Sequence, residues 1–297
     1  MSTISTIPKI LLVLSGKGGV GKSSVASQLA LTLYLQGHTV GLLDLDLTGP
    51  SIPRIFGLEE AKITTDDAGK WRPVVVSGGE TEGGDHGVSR KGTLNGVHKE
   101  PPEGFSPNTP KVLPKLQITS LAHLLPTRSS AIIWRGPKKS AMIKQFLTDV
   151  SWSLDTKYLI IDTPPGTGDE HISLLENLQI LRNRLQGVSA VVVTTPQEVS
   201  IMDVKKEINF CKMAGLEIGG VVENMSGFIC PNCEECEDLF DKGGGERLAG
   251  EVGCNFLGRV PVEVEWGVLT EEGGVVDGFK KLRLRRVFEE VVGRSSF

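Results

Sequence analysis

The sequence predicts an α/β fold, a doubly wound and mainly parallel sheet built on a phosphate-binding loop. Three observations carry that reading. Apolar runs of strand length recur without polar alternation at residues 10–14, 40–43, 159–161, 190–193 and 218–222, as strands buried on both faces require. Helix-length amphipathic segments lie between them, among them 22–36 and 200–213, and Gly37 and Gly215 stand where each helix would stop. A glycine-rich turn, SGKGGVGKSS, joins the first run to the first helix. Strands alternating with helices in this way make a parallel sheet with helices on both faces.

Taken in order, the first run and its turn open a single domain expected to span 1–297. With 297 residues, 39% apolar and 23% charged, the chain can bury a core of that size. The runs WRPVVV and LPKLQITSL are expected strands separated by a break in the pattern. Residues 77–111 are rich in Gly, Pro and charge and nearly empty of large apolar side chains, so they are expected to form a disordered insertion. The later runs continue the sheet. The segment FKKLRLRRVFEEVV near the C-terminus offers either an interfacial helix with a basic face or a helix docked on the domain.

Charge and composition narrow the partners. A formal net charge of -4 gives no electrostatic case for nucleic acid. No apolar run approaches the roughly 20 residues that cross a bilayer, and MSTISTIPKI lacks the order of a secretory signal or presequence, so a cytoplasmic protein is expected. Of the five cysteines, Cys230, Cys233 and Cys236 crowd into one short stretch, which suits reduced thiols or metal ligands better than disulfides. Cys211 and Cys254, beside apolar residues, are expected to be packing residues.

The turn satisfies G-x-x-x-x-G-K-[ST] in the context that motif needs, after a strand and opening a helix. Backbone N–H groups of such a turn converge on phosphate oxygens, and the helix N-terminus adds its positive end. The expected nucleotide site is Gly16, Lys17, Gly18, Gly19, Val20, Gly21, Lys22, Ser23 and Ser24. Lys22 would meet the β- and γ-phosphates of ATP, and Ser23 would ligate Mg²⁺. Asp162, ending the strand in LIIDTPPG, is the expected second Mg²⁺ residue, and 163–168 the segment that senses the γ-phosphate. In VGLLDLDLTGPS, Asp44 and Asp46 share a face, and one of them is expected to orient the attacking water. Lys17 is one cation more than the loop needs, so it is expected to reach across a subunit interface to the partner's phosphates, as a catalytic group supplied in trans.

GKGGVGKS resembles the deviant Walker A box of the SIMIBI-class P-loop ATPases, in which the early lysine crosses the dimer. DLDLTGPSIPRIFG, WRGP at 134–137, DTPPGTGDEH and TTPQEVSIMDVKK are similar to the Mrp-type branch of iron-sulfur carriers, and the resemblance covers nearly the whole chain outside the insertion. It implies that Asp46 is the switch carboxylate and that Asn224 and the segment around Pro261 border the adenine.

In ENMSGFICPNCEECEDLF, within a loop expected at 223–245, Cys230 and Cys233 have the spacing that lets two thiolates converge on one centre, and soft sulfur selects zinc, copper(I) or iron-sulfur. Two are too few, since zinc and cubane sites commonly take four cysteines. A two-fold homodimer would complete the set. The segment resembles the CPxC motif of cytosolic Mrp-type scaffolds, where a [4Fe-4S] cluster bridges two subunits. Cys236 matches a third cysteine of the shorter, cytosolic iron-sulfur-cluster-deficient (nucleotide-binding protein 2) subtype, whose longer paralogous partners carry an N-terminal four-cysteine motif that this chain lacks. The function so implied is an ATP-dependent scaffold, homodimeric or in a heteromeric complex with a longer paralogue, that passes a labile [4Fe-4S] cluster to cytosolic and nuclear apoproteins. A positioning ATPase or a zinc-binding adaptor is the alternative.

Overall fold

A computed structural model of the protein describes residues 3–46, 49–76, 113–124, 136–166, 168–181, 187–233, 235–238, 240 and 243–295. The chain runs β1 (Lys9–Leu14), α1 (Lys22–Leu35), β2 (Thr39–Asp44), α2 (Ile52–Ile55), a small ribbon β3 (Thr64–Thr65) and β4 (Trp71–Arg72), then β5 (Val74–Val76) and β6 (Leu116–Ser120). It continues with α3 (Gly136–Thr148), β7 (Thr156–Asp162), α4 (Asp169–Leu181), β8 (Val188–Thr194), α5 (Glu198–Met213), β9 (Glu217–Ile229) and β10 (Cys236–Glu237). The last elements are α6 (Gly244–Val252), β11 (Phe256–Glu263), α7 (Val264–Glu272), α8 (Val275–Phe279) and α9 (Arg283–Arg294).

The sheet order is β10-β9-β8-β1-β7-β2-β6-β5, with β11 also paired to β9. Pairing is parallel except at the two ends, where β5 runs against β6 and β10 against β9. Alternate residues of the central strands go to opposite faces. Leu11 and Val13 of β1 join the core under α1 and α9, while Ile10, Leu12 and Leu14 join the one against α3 and α4. Both faces are therefore covered, as the unalternating runs require.

Parallel register brings the carboxyl ends of β1, β2 and β7 together: Asp162 stands beside Val13 on one side and Asp44 on the other. Ligands of open α/β sheets bind at such strand ends.

Two expectations change in detail, and the structure decides between the two readings of a third segment. The first helix is buried nearly all round rather than on one face, with Ser27, Gln28 and Thr32 all buried. Thr32 Oγ1 donates to the Gln28 carbonyl at 2.7 Å and Ser27 Oγ to that of Ser23 at 2.8 Å, so these polar groups are satisfied inside the helix. Its cover is α9, whose Leu284, Phe288 and Val291 pack into the core with α1. The FKKLRLRRVFEEVV segment is thus a docked helix, and its apolar stripe is unavailable to a membrane. The run at 218–222 is only part of β9, which continues to Ile229. The expected insertion at 77–111 lies outside the described residues, but its flanks are adjacent, Val76 pairing with Leu116.

Candidate nucleotide site and cysteine turn

The turn after β1 needs glycine for two separate reasons. Gly19 and Gly21 have φ of 80° and 79°, the left-handed region that disfavours a Cβ. Gly16 needs it for space, since a Cβ there would lie 2.4 Å from the Asp203 carbonyl carbon in the α5 backbone. Helix α5 therefore presses directly on the loop. Val25 N–H donates to the Gly21 carbonyl at 3.0 Å and starts α1, so Lys22, Ser23 and Ser24 occupy its first turn.

Lys22 and Ser23 converge on Asp162. The Lys22 ammonium is hydrogen-bonded to Asp162 Oδ1, both groups being buried, and Ser23 Oγ donates to Oδ2 at 2.5 Å. Burial pushes the Asp162 carboxyl up, while Lys22 and Ser23 hold it down. A hydroxyl and a carboxylate facing one point are hard oxygen donors of the kind Mg²⁺ takes, so these residues fit that ion.

The segment after Asp162 is tied back to β1. Thr163 Oγ1 donates to the Val13 carbonyl at 2.9 Å, and Gly166 N–H to that of Ser15 at 2.9 Å. Thr167, also expected in this segment, lies outside the described residues, as do Trp134 and Arg135 of WRGP. Behind the segment is a pair that sequence reasoning missed. His171 Nε2 lies 3.3 Å from Thr163 Oγ1 and 3.7 Å from Glu207 Oε1 of α5, and all three residues are buried. Burial pushes Glu207 up to about 8 and His171 down to about 4, so both are neutral at pH 7. Glu207 shares the buried face of α5 with Val204, Ile208 and Cys211, and that carboxylate in an apolar stripe was the available signal.

The two aspartates of the DLD motif part company. Asp44 is fully buried and accepts from Asp46 N–H at 3.1 Å, Ile52 N–H at 3.4 Å and Ser120 Oγ at 3.1 Å. Burial first, and then the Asp162 charge, push it up to about 8. Asp46 is half-buried, and its Oδ1 accepts from Gly49 N–H at 3.0 Å. Lys17 is half-buried beside the exposed Gly18 and Gly19.

Asn224 sits at the far side of the loop. Its Nδ2 donates to the Val20 carbonyl at 2.8 Å, and a Cβ on Gly21 would lie 2.3 Å from the same atom. Pro261 follows Val260, the register partner of Asn224 on β11, so the two residues implied to border the base share one edge of the site.

β9 then leads to the cysteines. Cys230 N–H donates to the Glu235 carbonyl at 2.9 Å, and Cys236 pairs with Ile229, so the chain leaves β9 at Cys230 and is back beside it by Glu235. Within it Cys230 is half-buried and Cys233 exposed. The Cys233 N–H foremost, then that of Asn232 and the Cys233 thiol, hold the Cys230 thiol below its usual range. The turn therefore brings the Cys233 thiol to the Cys230 sulfur and favours thiolate at Cys230. After it, Gly245 N–H donates to Glu223 Oε2 at 2.6 Å and anchors α6 beside Asn224. Cys211 is buried and pushed up to about 12, an unreactive core thiol, and Cys254 is half-buried.

Residues 6–82 and 86–294 match the profile of the ParA family described as NUBPL iron-transfer P-loop NTPase. The chain belongs to that family. Among its relatives, a Phaeosphaeria nodorum protein named "Cytosolic Fe-S cluster assembly factor CFD1" is 52% identical over 276 residues, 91% of this chain and 86% of that one. A Neurospora crassa protein of the same name is 51% identical over 271 residues, 91% of this chain and 79% of the relative. An Archaeoglobus fulgidus nucleotide-binding protein, solved in complex with ADP and with Co found, superposes with a TM-score of 0.68 at 31% identity, covering 94% of this chain and 93% of that one. The Pyrococcus furiosus cell division ATPase MinD shares the fold, with a TM-score of 0.56 at 18% identity, over 97% of this chain and 98% of its own.

Proposed function

We propose that this NUBPL-type P-loop NTPase is a cytosolic scaffold of the cytosolic iron-sulfur-cluster-deficient subtype. Using ATP, it assembles a labile [4Fe-4S] cluster at a dimer interface and passes it to cytosolic and nuclear apoproteins. The observation that carries the reading is the Cys230–Cys233 turn, two converging thiols on the same strand that touches the phosphate loop. The dimer is a homodimer or a complex with a longer paralogue.

In this mechanism Lys22 leaves Asp162 for the β- and γ-phosphates, and the loop N–H groups from Gly16 to Lys22 hold the remaining oxygens. Ser23 and Asp162 would hold Mg²⁺, which would neutralise charge on the phosphates. Asp46 orients the attacking water, because Asp44 already accepts from three protein donors. Lys17 of each subunit reaches the phosphates of the other. Asn224 and Pro261 border the base. The cluster is cargo, gripped by Cys230 and Cys233 of both chains. An acceptor's thiolates displace these cysteines by ligand exchange, with no change in the oxidation state of the protein.

The test is anaerobic reconstitution with iron and sulfide. Wild type is expected to take up roughly four irons per dimer, as one cubane requires, and Cys230→Ala and Cys233→Ala to lose them. Unchanged iron content in both variants, or a colourless protein holding zinc, would overturn the reading.

A further inference from the structure

Strand β9 passes from the phosphate loop to the cysteine turn, and its geometry breaks once on the way. Asn224 is paired with Val260 of β11 and Phe228 with Val262, so β9 takes four steps where β11 takes two. The surplus forms a bulge at residues 225–227. At its start Met225 has φ of 56°, the one positive φ outside glycine among the described residues. Bulges redirect a strand locally, and a residue with a Cβ is held in this conformation only by its surroundings.

Those surroundings are the phosphate loop. Asn224, the residue before, donates to the Val20 carbonyl at 2.8 Å. The Met225 Cε methyl lies 3.4 Å from where a Cβ on Gly21 would be. Beyond the bulge, Phe228 and Ile229 pair with Val262 and Glu263 of β11 on one side and with Glu237 and Cys236 of β10 on the other. The next residue is Cys230. A shift of 228–229 therefore carries the whole cysteine turn with it.

We propose that the bulge at 225–227 is the joint through which nucleotide at the phosphate loop sets the position and accessibility of the Cys230–Cys233 turn within one chain. This deepens the scaffold reading and rests on it. The joint has two arrangements. With Lys22 held on Asp162, the Val20–Gly21 turn supports Met225 in its left-handed conformation. When Lys22 turns to the phosphates, that support changes, Met225 relaxes toward extended backbone, and the surplus residues are taken up on the cysteine side. Nucleotide differs in affinity for the two arrangements, which is what coupling requires.

The experiment uses the iron-free chain, at a concentration where light scattering gives the same oligomer with and without nucleotide. The alkylation rate of Cys233 by iodoacetamide is followed residue by residue with and without Mg·ATP. In wild type Mg·ATP is expected to change that rate at least about fivefold, the lower end of ordinary coupling. Met225→Gly, for which both backbone conformations are equally accessible, should reduce the change to under about twofold. Met225→Asn, which keeps the left-handed preference, should retain it. A wild type that does not respond, or a Met225→Gly chain that responds in full, overturns the proposal. Should Met225→Gly not fold, hydrogen exchange of wild-type amides 226–237 decides: exchange unchanged by Mg·ATP sinks the joint. Failure of the cysteines to hold iron would appear in the reconstitution and leave these readouts intact, so the two ideas fail separately.

Discussion

The phosphate loop and the cysteine turn sit on one sheet and are built in opposite ways. The loop is clamped from every side: α5 against Gly16, Asn224 on Val20, Thr163 and Gly166 tied to β1, and Lys22 and Ser23 both on a buried Asp162. The turn is held by the Cys230–Glu235 backbone bond and a two-residue strand, with Cys233 exposed. Binding a polyphosphate benefits from preorganised donors that need no rearrangement. Handing over a metal cluster needs sulfurs that another protein's thiolates can reach. On the proposed function, rigidity follows the task, with capture assigned to the loop and release to the turn.

Lys17 is where this comparison is most exposed. If the loop were complete within one chain, losing Lys17 would matter little. We expect Lys17→Gln to lower ATP turnover by about 10³-fold, or roughly 4 kcal/mol, with the melting temperature unchanged. Normal hydrolysis by this variant would break the trans role and leave the loop self-sufficient.

A second prediction sharpens the contrast in rigidity. Gly16→Ala drives a Cβ to within 2.4 Å of backbone in α5, where no flexible side chain can give way. The expected loss is roughly 2–4 kcal/mol in denaturant unfolding. Cys233→Ala, on the exposed turn, should leave the same unfolding curve in place. Equal losses in the two variants would mean the turn is as tightly built as the loop.

The smallest effect concerns the buried acids behind the loop. Asp44 and Glu207 keep their protons in the folded protein up to about pH 8, whereas the unfolded chain loses them near its ordinary carboxylate values. Stability contributed by these groups is therefore lost as pH rises toward 8. His171, lowered to about 4, acts in the opposite sense between that value and its usual 6.5 and offsets one of the two acids there, so the fall is shallow below pH 6.5 and steepens above it. Glu207→Gln should remove roughly 1–2 kcal/mol of the decline between pH 6.5 and 8, about half of it, as read from urea titrations at each pH.

The sequence announced the sheet well because its strands are apolar on both faces, and a run such as LLVL admits few other fates. The loop was legible because its glycines, lysine and serine stand at fixed spacing. What local pattern did not reveal were contacts between distant segments. Asn224 meets Val20, Asp203 crowds Gly16, and Glu207 faces His171, and each pair depends on how α5 and β9 cross the loop. The bulge at 225–227 was hidden in ENMSGF, where a largely polar stretch holding a glycine reads as a strand's end rather than its continuation. The first helix misled in a different way: Ser27, Gln28 and Thr32 look solvent-facing in the sequence, yet all three are buried.

The packing of α9 with α1 has a consequence for how the molecule is made. Helix α1, which carries Lys22, leaves the ribosome early, and the helix packed into the same core, Arg283–Arg294, is translated after every other described element. A nascent chain must therefore wait with the back of its first helix uncovered. A premature stop before Leu284 would leave that greasy surface bare, a mark by which chaperones and proteases recognise an unfinished product.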